Sequence, residues 1–108
     1  MAEYPFVSII IPTRGESETL RQCVDSLEKQ TYSKEKIELV LVSSKPLAVA
    51  SSLSVRIVAV EPEAGYAELR NKGVGAAQGE LFAFIDDDCR APQNWLSEAA
   101  RIFQNNGK

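Results

Sequence analysis

Three carboxylates stand in a row at Asp86, Asp87 and Asp88, directly after the apolar run Leu-Phe-Ala-Phe-Ile at residues 81–85. Such a run reads as a strand buried on both faces, as in the middle of a parallel sheet. Side chains alternate along an extended chain, so Asp86 and Asp88 are expected to share a direction while Asp87 points elsewhere. Two carboxylates aimed at one spot repel unless a cation sits between them. Hard divalent ions with oxygen ligands, Mg²⁺ or Mn²⁺, suit that pair, and such ions complete their shell with phosphate oxygens. Open α/β sheets place ligands beyond the carboxyl ends of their strands, where these aspartates would lie. The alternative is a solvated acidic turn after a core strand.

The remaining elements must hold that turn in place. Residues 6–11 are nearly all apolar and form a first expected strand, halted by Pro12. A polar loop, residues 13–16, leads to a helix running to about Gln30, with Leu20, Cys23, Val24 and Leu27 on one face. Ser17 can cap that helix, and Thr13 with Glu16 has the spacing of a capping box. Strands follow at residues 37–42 and 55–60, separated by a small, serine-rich stretch that fits a short helix or a loop equally well. A second helix is expected over residues 66–78, with Gly79 placed to end it. Gly73 and Gly75 cost that helix about 1 kcal/mol each relative to alanine. Close packing on the sheet accounts for them better than flexibility. A last helix, residues 94–104, should bury Leu96, Ala99 and Phe103 beside Trp95. Strands alternating with crossovers imply an α/β fold with a mostly parallel four-stranded sheet covered by helices on both sides.

A chain of 108 residues is one domain, small for a complete enzyme of this type. Formal net charge is −3 and histidine is absent, which argues against a nucleic-acid partner and removes imidazole from any mechanism. Cys23 and Cys89 do not make a disulfide framework and read as reduced thiols of a cytoplasmic protein. The N-terminus lacks the pattern of a signal peptide, and the apolar runs fall well short of the ~20 residues of a membrane span. The polar end at residues 105–108 reads as a truncation or a frayed terminus.

Several stretches converge on one pattern: residues 7–13 (Val-Ser-Ile-Ile-Ile-Pro-Thr), 70–73 (Arg-Asn-Lys-Gly), 77–79 (Ala-Gln-Gly), 84–88 (Phe-Ile-Asp-Asp-Asp) and Trp95-Leu96. In this order and spacing they resemble the nucleotide-binding half of family 2 inverting glycosyltransferases, over almost the whole chain. The resemblance implies a three-layer, Rossmann-like GT-A fold. It further implies a nucleotide diphosphate-sugar donor, a UDP-sugar as first choice, and an acceptor glycan or other hydroxyl compound. Asp86 and Asp88 become the ends of the family's Asp-X-Asp motif, with Asp88 the more direct ligand of Mn²⁺ or Mg²⁺ and Asp86 nearer the ribose. Pro12, Thr13, Arg14, Arg70, Asn71 and Asp87 fall at donor-facing positions.

Two departures stand out. Ser43 and Ser44 occupy the place where the family commonly carries aspartates that contact base or ribose; a hydroxyl lacks their charge and strong acceptor pair. The family's acceptor site and general base lie beyond the metal aspartates, so no base is assignable here, and the chain is expected to be the donor-binding half alone. Rival readings fare less well. A dinucleotide site needs more glycines than Gly15 after the first strand, and a P-loop needs Gly-Lys-Ser/Thr. A metal-dependent phosphotransferase of the haloacid-dehalogenase pattern needs its aspartates after the first strand, not the fourth. A non-catalytic nucleotide-sugar-binding module remains the serious alternative.

Overall fold

The computed structural model describes residues 4–106, with side chains described as far as residue 104. The order is β1 (Val7–Pro12), α1 (Glu18–Glu28), a 3₁₀ turn (Lys34–Lys36), β2 (Ile37–Ser43), β3 (Ser54–Ala59), α2 (Tyr66–Ala76), β4 (Leu81–Phe84) and α3 (Trp95–Asn106). The four strands form one all-parallel sheet in the order β3-β2-β1-β4. Of the expected frayed end, residues 107–108 lie outside the described part, and α3 runs to Asn106.

The sheet separates two apolar layers. Val7, Ile9 and Ile11 of β1, with Leu39 and Leu41 of β2, face α1 and α3. Ile10, Val40 and Val42 face α2 through Leu69. The period-2 alternation of strand side chains builds both layers from the same two strands, so β1 and β2 are buried throughout. The result is the expected three-layer α/β/α arrangement. No helix among the described residues is long and apolar enough to cross a membrane.

α1 starts as one of the two capping readings required: the Ser17 hydroxyl accepts from the Leu20 amide at 3.1 Å. Thr13 and Glu16 do not form the other cap, since Glu16 instead accepts from the Ala48 amide at 2.6 Å. All four stripe residues of α1 are buried. The stretch between β2 and β3 is a loop, not a helix; Glu28 fastens it by accepting from the Ser51 hydroxyl at 2.6 Å and the Ser52 amide at 2.9 Å.

Other expectations need correction. β4 is not a buried central strand but an edge strand, paired among the described residues with β1 alone, and Phe82 and Phe84 remain 40% and 45% exposed. Its apolar run mimics a central strand because one face packs on the core through Leu81 and Ala83. β3, at the other edge, is likewise only partly buried. On α3 the core residues are Leu96 and Ala100, whereas Ala99 is half-buried and Phe103 exposed.

The glycines also divide. A Cβ on Gly73 would stand 2.6 Å from Ile10 Cγ2 and 3.0 Å from Val42 Cγ2, so α2 lies on the sheet at that point. Gly75 faces open space, so packing does not explain it. Gly79 is not the helix stop, because Ala77 is the C-cap. A Cβ on Gly79 would meet Phe6 O and Ser8 N at 2.7 Å, and only glycine lets the chain enter β4 that close to β1.

One buried carboxylate escaped the sequence reading. Glu38 on β2 is 2% exposed and accepts from the Ser8 hydroxyl at 2.6 Å, the Gln78 amide at 2.8 Å and Arg56 Nε at 3.4 Å. Ser8 in turn accepts from the Gly79 amide at 2.8 Å. Buried charge needs such partners. This network ties the end of α2 to both central strands.

Candidate functional site

The strand order fixes where a ligand crevice opens. β1, β2 and β3 step one way across the sheet, while β4 adds on the other side of β1. The chain therefore reverses between β1 and β4, and at such a switch point the loops leaving adjacent strands diverge to form a crevice. Thr13 follows β1 there, and Asp86, Asp87 and Asp88 follow β4.

The aspartates converge by a route other than strand alternation. β4 makes its last ladder contact where the Ile85 amide donates to the Ile10 carbonyl at 3.3 Å. The chain then closes a tight turn, with the Cys89 amide donating to the Asp86 carbonyl at 3.0 Å. In that turn carboxylate oxygens of Asp86 and Asp88 and the Sγ of Cys89 all lie within 4.8 Å of one another. Asp86, Asp88 and Cys89 are exposed. No cation neutralises Asp86 or Asp88 in an ion pair among the described residues. Asp87 goes elsewhere: its Oδ2 accepts from the Thr13 hydroxyl at 2.7 Å.

The turn rests on a firm base. The buried Cys23 thiol of α1 donates to the Asp86 carbonyl at 3.6 Å. Burial pushes this thiol up to about 12, helped by the negative charges of Asp87, Cys89, Asp88 and Asp86. The Ser26 hydroxyl accepts from the Ala91 amide at 3.0 Å. Just past the end of α1, the buried Gln30 amide group donates to the Pro92 carbonyl at 2.6 Å and accepts from the Leu96 amide at 2.9 Å, tying the start of α3 to the chain leaving α1. Cys23 was legible as a core residue, but its role beneath the turn was not. Ser26 and Gln30 gave no signal beyond polarity on a helix.

Beside the turn a cleft of about 390 Å³ is lined by Arg70, Phe84, Asp86, Cys89, Arg90 and Trp95, among others. Arg70 is exposed, with its guanidinium 5.7 Å from the centre of the Tyr66 ring. It is the one expected donor-facing residue of α2 that lines the cleft with Asp86; Asn71 is exposed on the same helix. Pro12 and Thr13 are buried at the end of β1, and Arg14 is exposed. Ser43 is buried, its hydroxyl accepting from the Lys45 amide at 3.0 Å, while Ser44 is exposed. Cys89 is the site residue that sequence reasoning passed over. Its position directly after the third aspartate was the available signal, masked by the expectation of an oxygen-only ligand set.

A parallel α/β sheet with an acidic turn at its switch point has the architecture of the doubly wound, Rossmann-like folds, which bind their ligands at that place. Comparison with known proteins makes this specific. Residues 8–108 match the family described as "Glycosyl transferase family 2". The chain is 31% identical over 112 residues to glycosyltransferase AglE of Haloferax volcanii, covering 95% of this chain and 37% of that protein. It is 28% identical over 99 residues to glycosyltransferase GlyG of Streptococcus pneumoniae, covering 83% of this chain and 32% of that protein. The chain belongs to glycosyl transferase family 2. It therefore spans about a third of the length of these two relatives.

Solved structures agree on the fold. S. aureus TarS 1–349 in complex with UDP-GlcNAc superposes with a TM-score of 0.79 at 23% identity, over 94% of this chain and 32% of that one. The mannosyltransferase PcManGT from Pyrobaculum calidifontis, in complex with GDP-Man and Mn²⁺, gives 0.70 at 24% identity, over 93% and 32%.

Proposed function

We propose that this chain is the donor-binding part of an inverting glycosyltransferase that holds a nucleotide diphosphate-sugar through a divalent cation, for transfer to an acceptor hydroxyl. The observation that carries the reading is the convergence of Asp86 and Asp88 at the switch point of the sheet, in a chain of this family. The donor set fits Mn²⁺ or Mg²⁺: two exposed carboxylates with no ion-pair partner among the described residues, close enough to share one ion. A divalent cation held there supplies positive charge against which a nucleoside diphosphate can depart.

This chain's own residues do the rest. Thr13 engages Asp87, so that carboxylate does not compete for the ion. Arg70 lines the cleft beside Asp86, where its forked guanidinium suits a phosphate oxygen. Pro12, Arg14, Ser43, Ser44 and Asn71 complete the donor side. Binding of UDP-GlcNAc by TarS and of GDP-Man by PcManGT supports a nucleotide-sugar as the ligand class. UDP is the first candidate here. No general base is assigned among these residues.

The test is an amide chemical-shift titration of the chain with UDP and GDP, each with and without Mn²⁺. Shifts should cluster at residues 12–14, 42–44 and 86–88, with Mn²⁺ broadening centred on 85–89 and abolished by Asp88→Asn. Uniform broadening over all surface carboxylates, unchanged in Asp88→Asn, would sink the reading.

A further inference from the structure

Cys89 stands beside Asp86 and Asp88 in the candidate cation site with no role assigned above. Its Sγ shares the 4.8 Å grouping with the carboxylate oxygens of Asp86 and Asp88, and its thiol donates to Asp88 Oδ1 at 3.6 Å. The backbone fixes this placement, since the Cys89 amide closes the turn on the Asp86 carbonyl at 3.0 Å. On the next residues the Ala91 amide is held by Ser26 at 3.0 Å and the Pro92 carbonyl by Gln30 at 2.6 Å. Sulfur is thus presented to the cation position by a turn anchored at both ends.

We propose that Cys89 is a third protein ligand of the cation at Asp86 and Asp88, and that its sulfur biases the site toward thiophilic divalent ions and away from Mg²⁺. The inference rests on the reading that a cation binds at this turn. Mg²⁺ takes oxygen ligands almost exclusively, whereas Co²⁺, Zn²⁺ and Cd²⁺ gain from a polarisable thiolate and Mn²⁺ lies between. Metal–ligand bonds of about 2.0–2.3 Å place two donors on one ion at separations up to roughly 4.5 Å. The observed grouping therefore needs only small side-chain rotations. As the sulfur–metal bond forms, the thiol proton leaves to solvent, so uptake of the ion releases one proton. Two carboxylates and one thiolate leave coordination positions for diphosphate oxygens.

The experiment titrates the reduced chain with Cd²⁺ and Co²⁺ and reads the thiolate-to-metal charge-transfer absorption. The band should appear in the parent chain and in Cys23→Ser, which removes the other thiol while keeping a donor to the Asp86 carbonyl. It should vanish in Cys89→Ser and in the double variant Asp86→Asn/Asp88→Asn. Cys89→Ser should weaken Cd²⁺ binding by about tenfold or more while changing Mg²⁺ binding less than about threefold. No band in the parent chain overturns the inference, as does a band that survives loss of both aspartates, or an equal loss of affinity for both ions. Mn²⁺ broadening at residues 85–89 without a charge-transfer band would leave the donor-site reading intact and remove only the role of sulfur.

Discussion

The hydroxyl of Thr13 donates to the carboxylate of Asp87 across 2.7 Å, tying the end of β1 to the acidic turn after β4. The middle aspartate is thereby engaged, and the outer two are left convergent. Thr13→Val keeps the shape and removes the donor. It should cost about 1–2 kcal/mol in urea unfolding, because a hydrogen bond to a charged group is lost and Asp87 can recover part of its solvation. Amide shifts at residues 86–89 should move more than those elsewhere; an unperturbed turn would show that Thr13 does not position it.

Gly73 and Gly75 offer a paired test on one helix. Gly73→Ala gains helix propensity but drives a methyl to 2.6 Å from Ile10 Cγ2 in a fully buried layer, so a net loss of about 1–3 kcal/mol is expected. Gly75→Ala meets nothing within 4 Å and should stabilise by up to about 1 kcal/mol. Thermal unfolding of both variants checks the pair, and equal effects would contradict the packing of α2.

Removing the buried Glu38 carboxylate strands its donors. Glu38→Ala leaves the Ser8 hydroxyl and the Gln78 amide without an acceptor, a loss of about 3 kcal/mol or more. Glu38→Gln keeps an acceptor oxygen and should recover a good part of that stability. Denaturant midpoints decide; indistinguishable variants would mean that water replaces the carboxylate.

Acid should release the loop between β2 and β3 before the core. The Glu28 carboxyl is held below its ordinary 4.5, chiefly by the Ser51 hydroxyl, with smaller contributions from the Ser52 amide and the charge of Lys34. A carboxyl whose value is lowered by folding stabilises the fold above its unfolded value, and that contribution disappears as pH falls through the folded value. Protection of the Ser52 and Leu53 amides, measured relative to their intrinsic exchange rates, should therefore fall below about pH 4.5, and Glu28→Gln should abolish this acid step. Protection factors that stay flat with pH would argue against the tether.

Much of this architecture was legible because β1, β2 and α1 carry their apolar residues at the right period. The order of elements along the chain and the parallel sheet followed from that pattern, and Asp86 and Asp88 announced themselves by type. Features governed by contacts distant in sequence were not visible. A run such as residues 81–85 reads the same whether one neighbour strand or two flank it, so the edge position of β4 was missed. Glu38 gave no sign of its role because its partners Ser8, Arg56 and Gln78 come from three other segments. Cys89 was hidden because a turn, not an extended strand, brings position 89 back against position 86.

The place of β4 beside β1 bears on how the chain reaches its native state. Thr13 and Asp87 stand 74 residues apart in sequence, and β1 contacts β4 only after β2, β3 and α2 have been threaded between them. Local helix formation cannot bring these groups together; closing that long loop has an entropic cost before any contact rewards it. The acidic turn is thus expected to take its native arrangement as one of the later events of folding. A cation bound at this turn, as proposed, would selectively stabilise the fully assembled sheet and would act as a thermodynamic latch on the pairing of β1 with β4.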